Sequence, residues 1–179
     1  MQKIVVFLDY ANIEAGSRSA GFDVDYGALL EYFADDKEGR LLQAAYAYVP
    51  IDPRIEHAQD KTIEDLWSYG YAVRSKAGTL AGESYKCDFD VEMTLDIMRT
   101  SFDIRPDVVV IASGDSDFIP VVQELRDKGI RVEVASFDNA MSGLLARRCS
   151  GYISLDDIYT EYGDTEAEPE EAEPEKEEI

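Results

Sequence analysis

The sequence predicts an α/β protein, a three-layer α/β/α sandwich around a mainly parallel central sheet. Two observations carry this prediction. Ile4–Leu8, Arg40–Val49 and Asp107–Ala112 are short, largely apolar runs without strict alternation, the pattern of strands buried on both faces. Segments whose apolar residues recur every three or four positions follow them, and such alternation specifies parallel strands joined by helical crossovers. The chain has 179 residues, 45% of them hydrophobic and 11% aromatic. That length suits one domain with a full core.

Taken in order, Ile4–Leu8 is the first strand and Asp9-Tyr-Ala-Asn12 lies at its carboxyl end, with a helix expected from Ile13 or Glu14. Residues 21–25 form a loop, Tyr26–Phe33 a short amphipathic helix, and Asp35–Gly39 a turn into the strand Arg40–Val49. Pro50 to Pro53 should break that strand. Ile55, Ala58, Thr62, Leu66 and Tyr69 make an apolar stripe, so a helix is expected over 54–69. Tyr71–Arg74 is a short strand, and Ser75–Lys86 is expected to be a mobile loop because of its small and glycine residues. Asp88–Ser101 should be a helix with Val91, Leu95 and Met98 turned inward. The strand Asp107–Ala112, a helix over 117–128, the strand Arg131–Ala135, a helix over 141–148 and a last strand at Tyr152–Leu155 complete the domain, residues 1–162. There is no internal repeat.

The remaining residues, 163–179, are expected to form an acidic disordered tail, because Glu, Pro and Ala cannot bury apolar surface. Residues 164–179 hold nine acids and one lysine, a net −8, which leaves −13 of the chain's −21 on the body. An acidic body excludes the broad positive footprint of a duplex-coating protein. It does not exclude a nucleic-acid enzyme, because divalent cations invert the local sign of an acidic pocket. No apolar run approaches the roughly 20 residues of a membrane span. Cys87 and Cys149 lack CxxC spacing and His57 is the single histidine, so reduced thiols and a cytoplasmic location are expected, and a zinc site is discounted. His57 reads as a surface or packing residue and Trp67 as core.

The chemistry concentrates in carboxylates. Asp115 and Asp117 sit in Ser113-Gly-Asp-Ser-Asp-Phe118, directly after a strand, where α/β sheets keep their ligand sites. Asp9 follows five apolar strand residues and has to find a partner or stay at an open strand end. Asp90 opens a helix. A parallel sheet brings the ends of the first and fourth long strands to one edge, and Asp88 shares that edge if 87–90 is extended. Carboxylates this close repel unless a proton or cation lies between them. Their hardness and the absence of clustered His or Cys point to Mg²⁺ or Mn²⁺ held by Asp9, Asp90, Asp115 and Asp117. Such ions suit phosphodiester hydrolysis. Helix capping is the competing account of Asp90 and Asp117. Asn12 either caps the first helix or orients a water, and Asp96, about 240° around the helix from Asp90, fits a supporting or salt-bridging role. Arg18, Arg74, Lys76 and Lys86 are the cations flanking the site, and Tyr10, Tyr85 and Phe118 the aromatics available for stacking on unpaired bases. Each is equally well a solvated loop charge or a core ring.

Phe7-Leu-Asp-Tyr-Ala-Asn-Ile13, Lys86-Cys-Asp-Phe-Asp-Val-Glu-Met-Thr-Leu-Asp96 and Ser113-Gly-Asp-Ser-Asp-Phe118 resemble the three motifs of the NYN domain. The match is to its LabA-type branch, within the PIN-like nuclease superfamily. The resemblance covers about residues 3–160, and Ile153–Ile158 fits the domain's usual end. It implies a metal-dependent ribonuclease with Asp9, Asp90, Asp115 and Asp117 as the site acids, and Asn12, Asp88, Asp96 and Ser113 in support. RNA, single-stranded or structured, is the implied partner.

The alternative is a non-catalytic RNA- or protein-binding regulatory module that retains the acidic pocket and whose tail engages a protein partner. Eleven tyrosines are compatible with a homodimer. Other phosphoryl-transfer classes fit less well. A haloacid-dehalogenase-type phosphatase needs a second aspartate where Ala11 stands, a receiver domain needs a lysine where Ser136 and Phe137 stand, and no GxxxxGK loop is present.

Overall fold

The structure, a computed structural model, describes residues 1–163. Six strands form one wholly parallel sheet in the order β3-β2-β1-β6-β7-β8. They are β1 (Gln2–Asp9), β2 (Arg40–Ile51), β3 (Ala72–Ala77), β6 (Val108–Ala112), β7 (Arg131–Ser136) and β8 (Gly151–Ser154), while β4 (Thr79–Ala81) and β5 (Ser84–Lys86) form a separate hairpin. The helices are α1 (Tyr10–Ala20), α2 (Tyr26–Phe33), α3 (Asp60–Tyr69), α4 (Asp90–Ile104), α5 (Ile119–Asp127), α6 (Gly143–Arg148) and α7 (Leu155–Gly163).

The expected three-layer sandwich follows from the central strand. Ile4, Val6 and Leu8 of β1 pack on one face against α1, α2, α3 and α7, through Ile13, Leu29, Leu30, Leu66 and Leu155. Val5 and Phe7 pack on the other against α4, α5 and α6, through Met93, Ile97, Val122, Leu125 and Leu145. All five β1 residues from Ile4 to Leu8 are fully buried, which is why the strand shows no alternation. The chain first builds outward from β1 through β2 to β3, then returns to β6 on the other side and builds outward through β7 to β8. The reversal falls between β1 and β6, and open parallel sheets bind ligands outside the carboxyl ends of the strands at such a point.

Several local expectations are corrected. Helix α1 begins at Tyr10 because Asp9 itself caps it, accepting from the Asn12 amide. Strand β2 runs through Pro50 to Ile51; Pro50 is opposite Lys76 in the parallel ladder, and a proline forfeits only its own donor there. Helix α3 begins at Asp60, and residues 54–59 are turns, so Ile55 is exposed. Trp67 is 59% exposed and outside the core. The 75–86 segment is ordered into the end of β3 and the β4–β5 hairpin. Gly82 supplies the positive φ of 65° at its turn.

Helix α4 turns Met93, Ile97, Thr100 and Ser101 inward, whereas Val91 is 66% and Leu95 56% exposed, and Met98 is partly buried. Both stripes have helical spacing. The buried one shares the face of Asp90, so packing the helix also delivers its first residue to the sheet edge. Phe118 is fully buried and unavailable for stacking on a base. Both cysteines are free thiols, and among the described residues no helix is long and apolar enough to cross a membrane.

Candidate metal centre

Parallel pairing of β1 with β6 sets Leu8 opposite Ala112, so Asp9 and Ser113 leave the sheet side by side. The Ser113 hydroxyl, fully buried, donates to Asp9 Oδ2 at 2.9 Å, and the Asn12 amide donates to Oδ1 at 3.2 Å. The Asn12 side chain answers across the same gap, its Oδ1 accepting from the Gly114 amide at 2.9 Å. The Asp115 amide donates to Ser113 Oγ at 3.3 Å, and the Asp117 amide to Asp115 Oδ1 at 2.9 Å. These bonds lock the two strand ends and the loop after β6 into one unit. Gly114 fits by close approach: a Cβ there would lie 2.1 Å from the Ala140 carbonyl oxygen. The Ser142 amide also donates to the Gly114 carbonyl at 2.9 Å. Nothing in the local sequence signals Ala140, which the fold brings from the β7–α6 connection.

Asp90 arrives from the other side on the first turn of α4. Neither it nor Phe89 before it makes a side-chain cap, so capping does not account for this acid. Asp117 makes no cap either; Asp115 caps the short 3₁₀ turn Ser116–Phe118. Asp90, Asp115 and Asp117 each present a carboxylate oxygen within 4.8 Å of the others'. None of the three forms an ion pair among the described residues. Burial, then the charges of Asp115, Asp88, Asp9 and Asp117, push the Asp90 carboxyl up to about 6. Asp9 is also raised, by burial above all and by the charge of Asp115, against the opposing bonds from Asn12 and Ser113. Asp9 is not one of the three clustered acids; its oxygens accept from Asn12 and Ser113, while its charge still reaches Asp90. Asp88 is exposed and acts on Asp90 through its charge.

Asp96 lies apart from the cluster. It accepts from the Tyr48 hydroxyl at 2.9 Å and pairs with Arg74 at 3.6 Å and Arg99 at 3.7 Å. Tyr48 stands opposite Asp9 in the ladder and meets Phe89 edge-on at 5.6 Å. Asp96 thereby ties α4 to β2 and steadies the turn carrying Asp90. Lys76 pairs with Glu92 and stands 4.7 Å over Phe89. Arg74 stands over Tyr46, and Arg18, exposed on α1, pairs with Glu14 at 3.9 Å. Of the four flanking cations, Lys86 alone lacks a carboxylate partner among the described residues. Sequence reading passed over Arg54, which pairs with Asp52, donates to the Glu83 carbonyl and lies over Tyr85. It clips the hairpin to the end of β2, and its position after Asp52-Pro53 was the available signal.

The family model of the NYN domain matches residues 3–156. The low amplitude and bright protein LabA of Synechococcus elongatus is 29% identical over 164 residues, covering 87% of this chain and 85% of that protein. An uncharacterized protein of Methanocaldococcus jannaschii is 28% identical over 90 residues, half of this chain and 34% of its own length. A crystal structure of a protein of unknown function from Vibrio parahaemolyticus superposes with a TM-score of 0.72 at 23% identity, covering 87% of this chain and 94% of that one. That likeness establishes the shared fold. With a domain match across nearly all of the described residues, the chain belongs to the NYN domain family and is a homologue of LabA.

Proposed function

We propose that this protein is a divalent-metal-dependent ribonuclease that hydrolyses RNA phosphodiester bonds at the aspartate cluster. The observation carrying this reading is the convergence of Asp90, Asp115 and Asp117 oxygens within 4.8 Å, with no ion pair to any of the three among the described residues. The donor set fits a hard ion: it is all carboxylate, with no sulfur or imidazole in the group, as Mg²⁺ and Mn²⁺ prefer. Asp90, Asp115 and Asp117 would hold the ion, and when bound it supplies Lewis acidity and charge neutralisation at a phosphate.

The chain's own residues do the positioning. Asp115 is fixed by the Asp117 amide, so its free oxygen has a set direction. Asp9, held by Ser113 and Asn12, adds negative charge next to Asp90 and keeps the loop after β6 in register with β1. Asp90 has to release a proton before it can take part, so cation binding strengthens as pH rises through about 6. Lys86 and Tyr85 of the hairpin are the residues offered to an RNA strand. Incubating the purified protein with RNA and Mg²⁺ or Mn²⁺ tests the proposal. Cleavage by the wild type and its loss in Asp115→Asn and Asp90→Asn are expected. A wild type that cuts no RNA with any of several ions, or variants that cut as well as it does, would refute the proposal and leave the binding-module reading.

A further inference from the structure

At the sheet edge opposite the aspartates, the carboxyl ends of α5 and α6 bring Arg126 and Arg148 together. The Arg126 guanidinium donates to the Arg148 carbonyl, and Arg126 and Arg148 line one recess with Gln123 and Asp127. Arg147, also in the last turn of α6, directs its guanidinium back along the helix toward Gly143. All three side chains are exposed, and none pairs with a carboxylate among the described residues. Their basic neighbours are already matched: Lys128 with Glu124 at 3.5 Å, and Arg131 and Arg40 with Glu133 at 2.8 and 2.7 Å. A cation at a helix carboxyl end is favourable by itself. The Arg126 and Arg148 guanidinium groups in one recess repel one another, and an anion relieves that repulsion.

We propose that residues 164–179 of the same chain occupy this arginine surface. Charge complementarity is the first argument: nine acids and one lysine in sixteen residues make that segment the most anionic stretch of the chain. Position is the second. After β8, helix α7 turns back along the sheet, and its Ile158 and Tyr159 line a recess together with Arg131 and Gly151, where β7 and β8 begin. Gly151 is three residues beyond Arg148, so α7 runs toward the same sheet edge as the arginines, on the opposite face. Sixteen residues reach about 50 Å extended, or about 22 Å as a flexible coil, enough to round the edge strand β8. The pairs are exposed, hence individually weak and screened by salt, and the contact is exchangeable. The segment thereby shields these arginines from other polyanions.

Amide NMR on the full-length chain tests this. At low ionic strength the signals of residues 164–179 should differ between wild type and Arg126→Gln/Arg147→Gln/Arg148→Gln. The difference should vanish as added salt shrinks the Debye length from about 30 Å to about 3 Å. In a second full-length variant, with the nine acids of 164–179 changed to Asn or Gln, the Arg147 and Arg148 signals should shift as they do in high salt. That arm reads the contact even if the arginine variant fails to fold. Tail signals identical in wild type and arginine variant, or arginine signals indifferent to the tail's charge, would overturn the proposal. Shifts that depend on protein concentration would overturn it in favour of a second copy's tail. Arginine signals that respond to an added RNA oligonucleotide but not to the tail would assign the surface to nucleic acid instead.

Discussion

Replacing Asp90 by Asn should make the metal-free protein more stable. The side chain makes no hydrogen bond that the change would break, and it sits against Asp115, Asp88, Asp9 and Asp117. The displacement of its carboxyl from 3.8 to about 6 corresponds to about 3 kcal/mol between protonation states at 1.36 kcal/mol per pH unit. Asp90 is partly open to water, so screening leaves about 1 kcal/mol to be recovered above pH 6. In a domain of this size that raises the melting temperature by about 2–4 °C. Adding Mn²⁺ or Mg²⁺ at about 100 times its dissociation constant should stabilise the wild type by about 2.7 kcal/mol through binding the folded state, and the variant far less. Thermal denaturation at pH 7.5, in EDTA and in excess metal, reads both effects. If Asp90→Asn melts lower than wild type in EDTA, the carboxylate is structural and the reasoning fails.

Three further outcomes follow from the same geometry. Asp9→Ala should cost about 1–2 kcal/mol in urea denaturation, since it removes the α1 cap and the partner of the buried Ser113 hydroxyl. Asp9→Asn, which keeps an acceptor and removes the buried charge, should equal or exceed wild type. Gly114→Ala should destabilise by about 1–3 kcal/mol or more, because its Cβ would meet the Ala140 carbonyl at 2.1 Å; equal stability would mean that this loop relaxes freely. For pH, Asp90 is raised in the folded state, so the folded protein binds more protons between 3.8 and about 6. Its contribution is therefore present at low pH and lost as pH rises through that window. Glu133 acts oppositely: burial raises it, but Arg40 and Arg131 outweigh burial and hold it low. The informative quantity is wild type minus Asp90→Asn stability across pH 4–7 without metal, which should fall with pH.

Much of the fold was legible because buried parallel strands carry their signature locally. Ile4–Leu8 and Val108–Ala112 are apolar on both faces, and only a strand covered twice needs that. Strand order was not legible: that β1 lies beside β6, with the chain reversing between them, depends on long-range pairing. The convergence of Asp9 with the loop after β6 rests on that adjacency. The sequence singled out Asp90, Asp115 and Asp117, which the fold gathers, but not the different bonding of each. Asp9 and Asp115 each take up backbone amides, while Asp90 has none, and those bonds arise from loop conformations that residue types alone leave undetermined. Spacing alone leaves the inward face of α4 open, because Val91-Leu95-Met98 and Met93-Ile97-Thr100 both fit a helical period. Requiring Asp90 to face the site would have selected the second. Trp67 departs from the expectation that a large apolar ring on an amphipathic helix is buried, because α3 packs through Leu66 and turns the indole outward.

Anomalous scattering from a crystal of the wild-type protein soaked in Mn²⁺ tests the central claim most directly. The account predicts one strong peak among Asp90, Asp115 and Asp117, within about 2.3 Å of at least two of their carboxylate oxygens, given the bond lengths of such hard cations. In Asp90→Asn the same soak should leave it weakened or absent. Manganese bound elsewhere with the cluster empty, or a peak of equal height in the variant, would contradict it.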